Sequence, residues 1–349
     1  MRGLSISPVV DVHTHYIPEE LIELIHSGKG PTGLTVERRE GKDPLIIHDN
    51  GLRYPAFEVF RDHRARLAYM DARGIDVSVI SISPSLYLYW LDPGETAEIS
   101  RALNNAAARM AREGEGRVYA MATVPMNDPA AAAEELRRSR VELGLVGVEI
   151  GTSVGTRQLD SPDLDVFFSA ASELGMPVML HPYMSMITEP GTDTEGYHLA
   201  NVIGNPMETF VAGCRLAVGG VFDRHPDLRV LLVHGGGAFP YQLGRLQHAY
   251  EVRDETKATA KRAPLDYLDN LRFDTVLFEP DPLEYLIDLA GPERVVFGTD
   301  LPFDMGDDSA LRDLREGSRS EFADRILGAN ALELFGIGQS TGSPAASVP

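Results

Sequence analysis

The chain has 349 residues, 43% of them hydrophobic, and carries a formal net charge of −20. That balance leaves no basic stripe for nucleic acid and nothing to attract an anionic membrane surface, and no apolar run reaches the ~18 residues a membrane helix needs. The single cysteine, Cys214, excludes an intrachain disulfide and a thiolate cluster, so a metal here would be held by histidine and carboxylate, which suits Zn²⁺ and its neighbours. The first apolar run starts too early to leave room for a secretion signal, and the expected compartment is the cytoplasm.

Residues 9–12 read as a buried strand ending in His13-Thr14-His15. Side chains alternate along a strand, so the two imidazoles are expected to project together from its C-terminal end. A short helix is predicted over 17–25. Residues 28–56 are rich in Gly, Pro and charge, with alternating patches at 34–37 and 45–47 that predict an inserted hairpin. A helix over 60–73 closes at Gly74, and a regular rhythm follows. Strands are predicted at 77–82, 118–124, 146–150, 177–180 (reaching His181), 229–233 (reaching His234), 270–276 and 294–298 (reaching Asp300). Helices are predicted between them at 95–112, 129–143 (with Asp128 as N-cap), 163–174, 207–222, 240–252 and 282–289, and after them at 309–316 and 321–335. Residues 339–349 read as a disordered tail.

Eight strands, each followed by helical sequence and reading as continuous apolar runs, predict a single α/β domain over 1–338: a (β/α)₈ TIM barrel with the hairpin inserted after its first strand. In such barrels chemistry gathers at the C-terminal strand ends. One strand-end histidine is commonly structural, but four of this chain's ten histidines, His13, His15, His181 and His234, fall at that rim together with Asp300, and their joint placement predicts a metal site.

Asp11-Val12-His13-Thr14-His15, Leu180-His181-Pro182, the run Val-His-Gly-Gly-Gly-Ala-Phe-Pro at 233–240 and Phe-Gly-Thr-Asp-Leu-Pro-Phe at 297–303 resemble the amidohydrolase superfamily, in particular the branch typified by α-amino-β-carboxymuconate-ε-semialdehyde decarboxylase. The resemblance runs from about 9 to 336. It implies one Zn²⁺, or another divalent ion such as Mn²⁺ or Co²⁺, bound by His13, His15, His181 and Asp300 with water in an open position. It also implies that His234 acts as acid and base on that water, with Asp300 able to shuttle protons. The chemistry is consistent: three neutral imidazoles and one carboxylate leave a net positive metal that lowers the pKa of water, beside an imidazole that titrates near neutrality. Gly235-Gly236-Gly237 is expected to let backbone approach the substrate closely.

The chain departs from the branch in the residues that grip substrate. Where the type enzyme uses an arginine from the insert and a tryptophan after strand five, Phe57 and Asn201 stand here, with Arg53 and Arg61 near enough to substitute. Arg245 matches an arginine supplied across a dimer interface, so a homodimer or higher oligomer is implied. Trp90, with Tyr87 and Tyr89, is a candidate aromatic wall or core, and Met184 lies in a candidate lid over 182–204. Glu149 is a candidate neighbour of the metal ligands or half of a buried ion pair, and His26, His48, His63, His225 and His248 are expected at the surface or in caps.

The resulting expectation is a metal-dependent, non-oxidative decarboxylase of a small unsaturated or aromatic carboxylic acid. A hydrolase of a C–C, C–N or ester bond using the same site is the alternative, and a non-catalytic barrel is disfavoured by the complete ligand set. A serine esterase through Ser153 in Gly151-Thr152-Ser153-Val154-Gly155 is a weaker alternative, because the His-Gly-Gly-Gly oxyanion-type motif at 234–237 would have to precede the nucleophile.

Overall fold

The structure, a computed structural model, describes residues 7–183 and 196–338. β1 (Val10–Tyr16) leads through α1 (Glu19–His26) into β2 (Leu34–Glu37), β3 (Leu45–His48) and β4 (Arg53–Pro55). Next come α2 (Glu58–Arg61), α3 (His63–Asp71), β5 (Val77–Ile82), α4 (Pro93–Glu113), β6 (Val118–Ala122), α5 (Pro129–Val141) and β7 (Gly147–Gly151). A small ribbon of β8 (Ser153–Val154) and β9 (Arg157–Gln158) precedes α6 (Asp165–Glu173), β10 (Val178–His181), α7 (Asn205–Val218), α8 (Val221–Arg224), β11 (Val230–Leu232), α9 (Phe239–Val252) and β12 (Leu271–Phe273). α10 (Pro280–Ala290), α11 (Ser309–Glu316) and α12 (Asn330–Phe335) complete the order.

Seven strands pair in parallel in the order β1-β5-β6-β7-β10-β11-β12. The eighth predicted strand is not a regular one, but it closes the cylinder. Val296 N donates to Phe273 O (2.8 Å) on one side, and Phe297 O accepts from Val12 N (3.0 Å) on the other. The fold is an α/β TIM barrel. Its interior is packed by Val10, Val12, Val79, Met121, Met179, Leu231, Val233 and Val296, and Phe335 and Ile337 from the C-terminal end pack against this cluster. A larger apolar layer lies between the strands and the surrounding helices.

Local signals act where expected. Asp128 caps α5 by accepting from Ala130 N and Ala131 N, both at 3.1 Å. Four predictions are corrected. The insert is a three-stranded antiparallel sheet, because β4 adds to β3 beyond the expected pair. The helix predicted over 207–222 breaks at Gly219 and Gly220, the latter at φ +74°, a left-handed turn that favours glycine. The helix predicted over 321–335 is interrupted by a wider π turn at Arg325–Ala329. His48 is no surface residue: it is buried in the insert between Tyr54 and Trp90, and burial lowers its pKa to about 4. Among the described residues, no helix is long and apolar enough to cross a membrane.

Candidate metal centre

His13 and His15 leave β1 across a register shift, where Asp11 pairs with Ser78 but Thr14 with Ile80. An extra residue on one strand re-aims its side chains, so the convergence of the two imidazoles, ring centroids 5.1 Å apart, depends on this bulge as well as on strand alternation. His181 ends β10 and lies 5.1 Å from the His13 ring and 5.2 Å from the His15 ring. Asp300 and His234 both have positive φ, +57° and +56°. Such conformations cost on the order of 1–3 kcal/mol in non-glycine residues and persist only where the surroundings impose them.

His13, His15 and His181 each commit Nδ1 outward. His13 Nδ1 donates to Asp274 Oδ2 at 2.6 Å, His15 Nδ1 to Ile82 O at 3.2 Å and His181 Nδ1 to Pro182 O at 2.7 Å. A carbonyl can only accept, so the proton sits on Nδ1 of His15 and His181, leaving Nε2 as a lone pair. The Nε2 atoms turn inward on Asp300 Oδ1, at 3.0 Å (His15), 3.3 Å (His13) and 3.9 Å (His181). Donor atoms around one tetrahedral ion with ~2.1 Å bonds stand roughly 3.4 Å apart. Nε2 of His13 and of His181 are buried without a hydrogen-bond partner among the described residues. Donor chemistry, spacing and orphaned nitrogens all fit one divalent cation. His234 Nε2 instead meets the other oxygen, Asp300 Oδ2, at 3.3 Å. Ligand atoms of His13, His181, His234 and Asp300 all lie within 4.8 Å of one another, which keeps His234 close enough to be a ligand itself.

Burial pushes the His181 imidazole down to about 3 and lowers His15 as well, which favours the neutral form a ligand must have. Burial also opposes charge on His13, but Asp300 and Asp274 together outweigh it and hold that imidazole well above its usual value. Against the cost of burial, the same histidines hold Asp300 well below the usual carboxylate range, and the His13 hydrogen bond holds Asp274 down.

Asp274 is the functional residue that the sequence reading missed. It lies one residue past β12, at the rim where chemistry was expected, and its Oδ1 also accepts from Gly235 N at 2.7 Å. The strand predicted over 270–276 hid it, because the structure ends that strand at Phe273; an acid inside an apolar run was the available signal. Beneath the ligands, Asp11 accepts from His13 N (3.1 Å), Thr299 N (3.2 Å) and Thr299 Oγ1 (2.8 Å), tying β1 to the Asp300 turn. Buried Arg66 donates to Thr14 Oγ1 at 3.1 Å and to His15 O.

A family model described as Amidohydrolase matches residues 10–337. The chain belongs to the amidohydrolase family. It is 30% identical over 94% of its length to a 2-amino-3-carboxymuconate-6-semialdehyde decarboxylase of Dictyostelium discoideum, covering 91% of that protein. It is 31% identical over 77% of its length to a gamma-resorcylate decarboxylase of Rhizobium sp. (strain MTP-10005), covering 86% of it. Among solved structures, IDCase of Metarhizium anisopliae in apo form superposes with a TM-score of 0.80 at 27% identity, covering 95% of this chain and 97% of that one.

The remaining predicted residues of this amidohydrolase are dispersed. Phe57 stacks on Phe60 (6.1 Å), Phe60 meets Phe303 (5.3 Å), and Phe303 lies against His15 (5.2 Å), so Phe57 reaches the centre through two other rings. Trp90 is 47% exposed and donates to Thr32 O at 3.1 Å. Tyr87 and Tyr89 are core, stacked on each other at 5.4 Å. Asn201 is half-buried and Arg245 is exposed on α9. Arg61 is engaged by Glu19 and Asp43 and donates to Ala56 O, while Arg53 is exposed on β4. Met184 and most of the candidate lid lie outside the described residues.

The serine-esterase alternative loses its geometry here. Ser153 sits in the β8–β9 ribbon, paired with Gln158, and not on a strand-to-helix elbow. The Gly235-Gly236-Gly237 run packs against the protein itself: a Cβ at these positions would fall 2.4 Å from Leu277 Cδ2, 2.7 Å from Phe273 Cδ1 and 2.3 Å from Pro206 O.

Proposed function

We propose that the protein is a non-oxidative, divalent-metal-dependent decarboxylase of a small unsaturated or aromatic carboxylic acid. The observation that carries this reading is the convergence of the Nε2 atoms of His13, His15 and His181 with Asp300 Oδ1 beside His234, in a chain whose relatives are named as decarboxylases. When bound, the cation would act as a Lewis acid on substrate oxygens and raise the acidity of water at the site. Zn²⁺ is the expected ion, with Mn²⁺ or Co²⁺ able to replace it.

His13, His15, His181 and Asp300 hold that ion, and Asp274, Ile82 O and Pro182 O keep the imidazoles aimed. His234, at the Asp300 Oδ2 edge, exchanges the proton. As the bond between carbon and carboxylate breaks, CO₂ leaves and the electron pair stays on carbon; His234 delivers the proton that replaces it and regains one from solvent. Trp90, Asn201 and the Phe57 aromatic chain line the approach, and Arg245 of a second copy reaches the substrate carboxylate in a cytoplasmic homodimer.

The test is to assay released CO₂ from metal-loaded protein over hydroxybenzoates, aminobenzoates and muconate semialdehydes. Turnover with CO₂ release is expected, together with a His234→Ala variant that keeps its metal but loses turnover by 10²–10⁴-fold. A hydrolytic product without CO₂ would replace the reading by a hydrolase on the same site. A fully active His234→Ala enzyme would remove its proton-transfer role.

A further inference from the structure

One face of the inserted sheet runs outward from the candidate metal centre as a row of rings. Side chains alternate along a strand, so Ile46 and His48 of β3 share a face with Tyr54 of β4, which is in register with Ile46. Phe303 lies 5.2 Å from the His15 ring, Tyr54 6.1 Å from Phe303, and His48 5.8 Å from Tyr54. The Tyr54 hydroxyl is bonded to Ser85 Oγ, which meets Ser83 Oγ at 3.0 Å, so the row is anchored to the chain just past β5. His48 is 3% exposed, and its Nε2 is buried without a hydrogen-bond partner among the described residues. An unpaired polar nitrogen in such a place is costly, and a polar group of a ligand would relieve it.

Side-chain cations are scarce at the same end of the barrel. The stretches that follow the strand ends, 83–92, 123–128, 182–204, 233–238, 274–279 and 299–308, contain no lysine or arginine. Arg157, after β7, pairs with Asp163 at 3.1 Å. In the insert, Arg61 is held by Glu19 and Asp43, and Arg53 is exposed beside the inward Tyr54. His48 is itself neutral near pH 7, because burial lowers it to about 4. Resting on the decarboxylase reading, we propose that His48 and Tyr54 form a subsite for the end of the substrate remote from the reacting carboxylate, and that this subsite takes an uncharged hydroxyl and rejects a second carboxylate. The preferred substrates are then hydroxylated monocarboxylic acids. A hydroxyl can donate to or accept from His48 Nε2, whichever tautomer is present. A second carboxylate there would be buried without a counter-charge.

The experiment measures binding by calorimetry and CO₂ release by metal-loaded protein for three sets of acids: benzoates without hydroxyls, hydroxybenzoates, and hydroxybenzoates bearing a second ring carboxylate. Wild type is expected to prefer the hydroxybenzoates, with kcat/KM about 100-fold or more lower for the dicarboxylates. His48→Phe, which keeps a ring and removes the nitrogens, is expected to shrink the preference for hydroxylated over unhydroxylated acids about tenfold, through KM and not kcat. Dicarboxylates bound and turned over as well as monocarboxylates would overturn the inference and leave the decarboxylase reading standing. Selective binding of hydroxybenzoates with no CO₂ released from any acid would overturn the decarboxylase reading and leave the charge selectivity standing. An unchanged preference in His48→Phe would overturn the role of His48. If that variant does not fold, Tyr54→Phe is expected to shrink the same preference, and no change there would also overturn the subsite.

Discussion

The orientation of His13 rests on one short contact, the 2.6 Å hydrogen bond from Nδ1 to Asp274. Partners of this kind fix tautomer and ring angle, and their loss commonly costs 10–100-fold in metal affinity. Asp274→Ala is therefore expected to lower cation affinity by that factor, read by chelator competition, with a smaller effect for Asp274→Asn, which still offers a carbonyl oxygen. Behind the same pair stands Gly298, where an added Cβ would fall 2.7 Å from His13 Cβ and 3.1 Å from Asp274 Cβ. Neither neighbour is a flexible tip, so Gly298→Ala should displace both. We expect it to lower metal content after dialysis and to destabilise the fold by roughly 1–3 kcal/mol, as overpacking does, measured by denaturant unfolding.

Elements hold the site through a few polar ties. The turn that carries Asp300 is fastened to β1 by Asp300 N to His13 O (2.6 Å), His15 N to Leu301 O (3.1 Å) and Thr14 Oγ1 to Leu301 O (2.7 Å). On the opposite side, Glu208 of α7 accepts from Thr152 Oγ1 at 2.9 Å and from Tyr183 N at 3.3 Å, joining the chain after β7 to the chain after β10. Burial raises the Glu208 carboxyl from 4.5 to about 7, against both hydrogen bonds. A carboxyl with a raised folded-state pKa contributes stability that is whole below about 4.5 and is lost as pH rises through about 7. Glu208→Gln keeps an acceptor but has no proton to lose. From pH 4.5 to 8 the wild type should lose about 2–3 kcal/mol relative to Glu208→Gln, measured as paired unfolding free energies; parallel pH profiles would contradict this.

At the scale of the molecule, a cation held as proposed would join strands from both ends of the chain, since its proposed ligands lie at 13, 15, 181 and 300. A ligand that binds only the folded state at about 1,000 times its Kd adds about 4 kcal/mol, so stripping the metal should lower Tm by roughly 10 °C, and scanning calorimetry before and after chelation and re-addition checks this. The barrel, the placement of four histidines and Asp300 at one rim, and the family were legible from sequence, because a strand buried on both faces must read apolar and its C-terminal end is where polar groups can begin. His48 was not legible as core, because its burial is set by Tyr54 and Trp90 from elsewhere in the chain. Asp274 was not recognised either, because its role exists only across 261 residues of separation from His13. Local pattern thus determined which residues stand at the mouth of the cylinder. The β1 bulge, the positive φ of His234 and Asp300 and the Nδ1 anchors were decided only when distant segments packed together, because backbone strain and buried charge are tolerated only where surrounding structure compensates them.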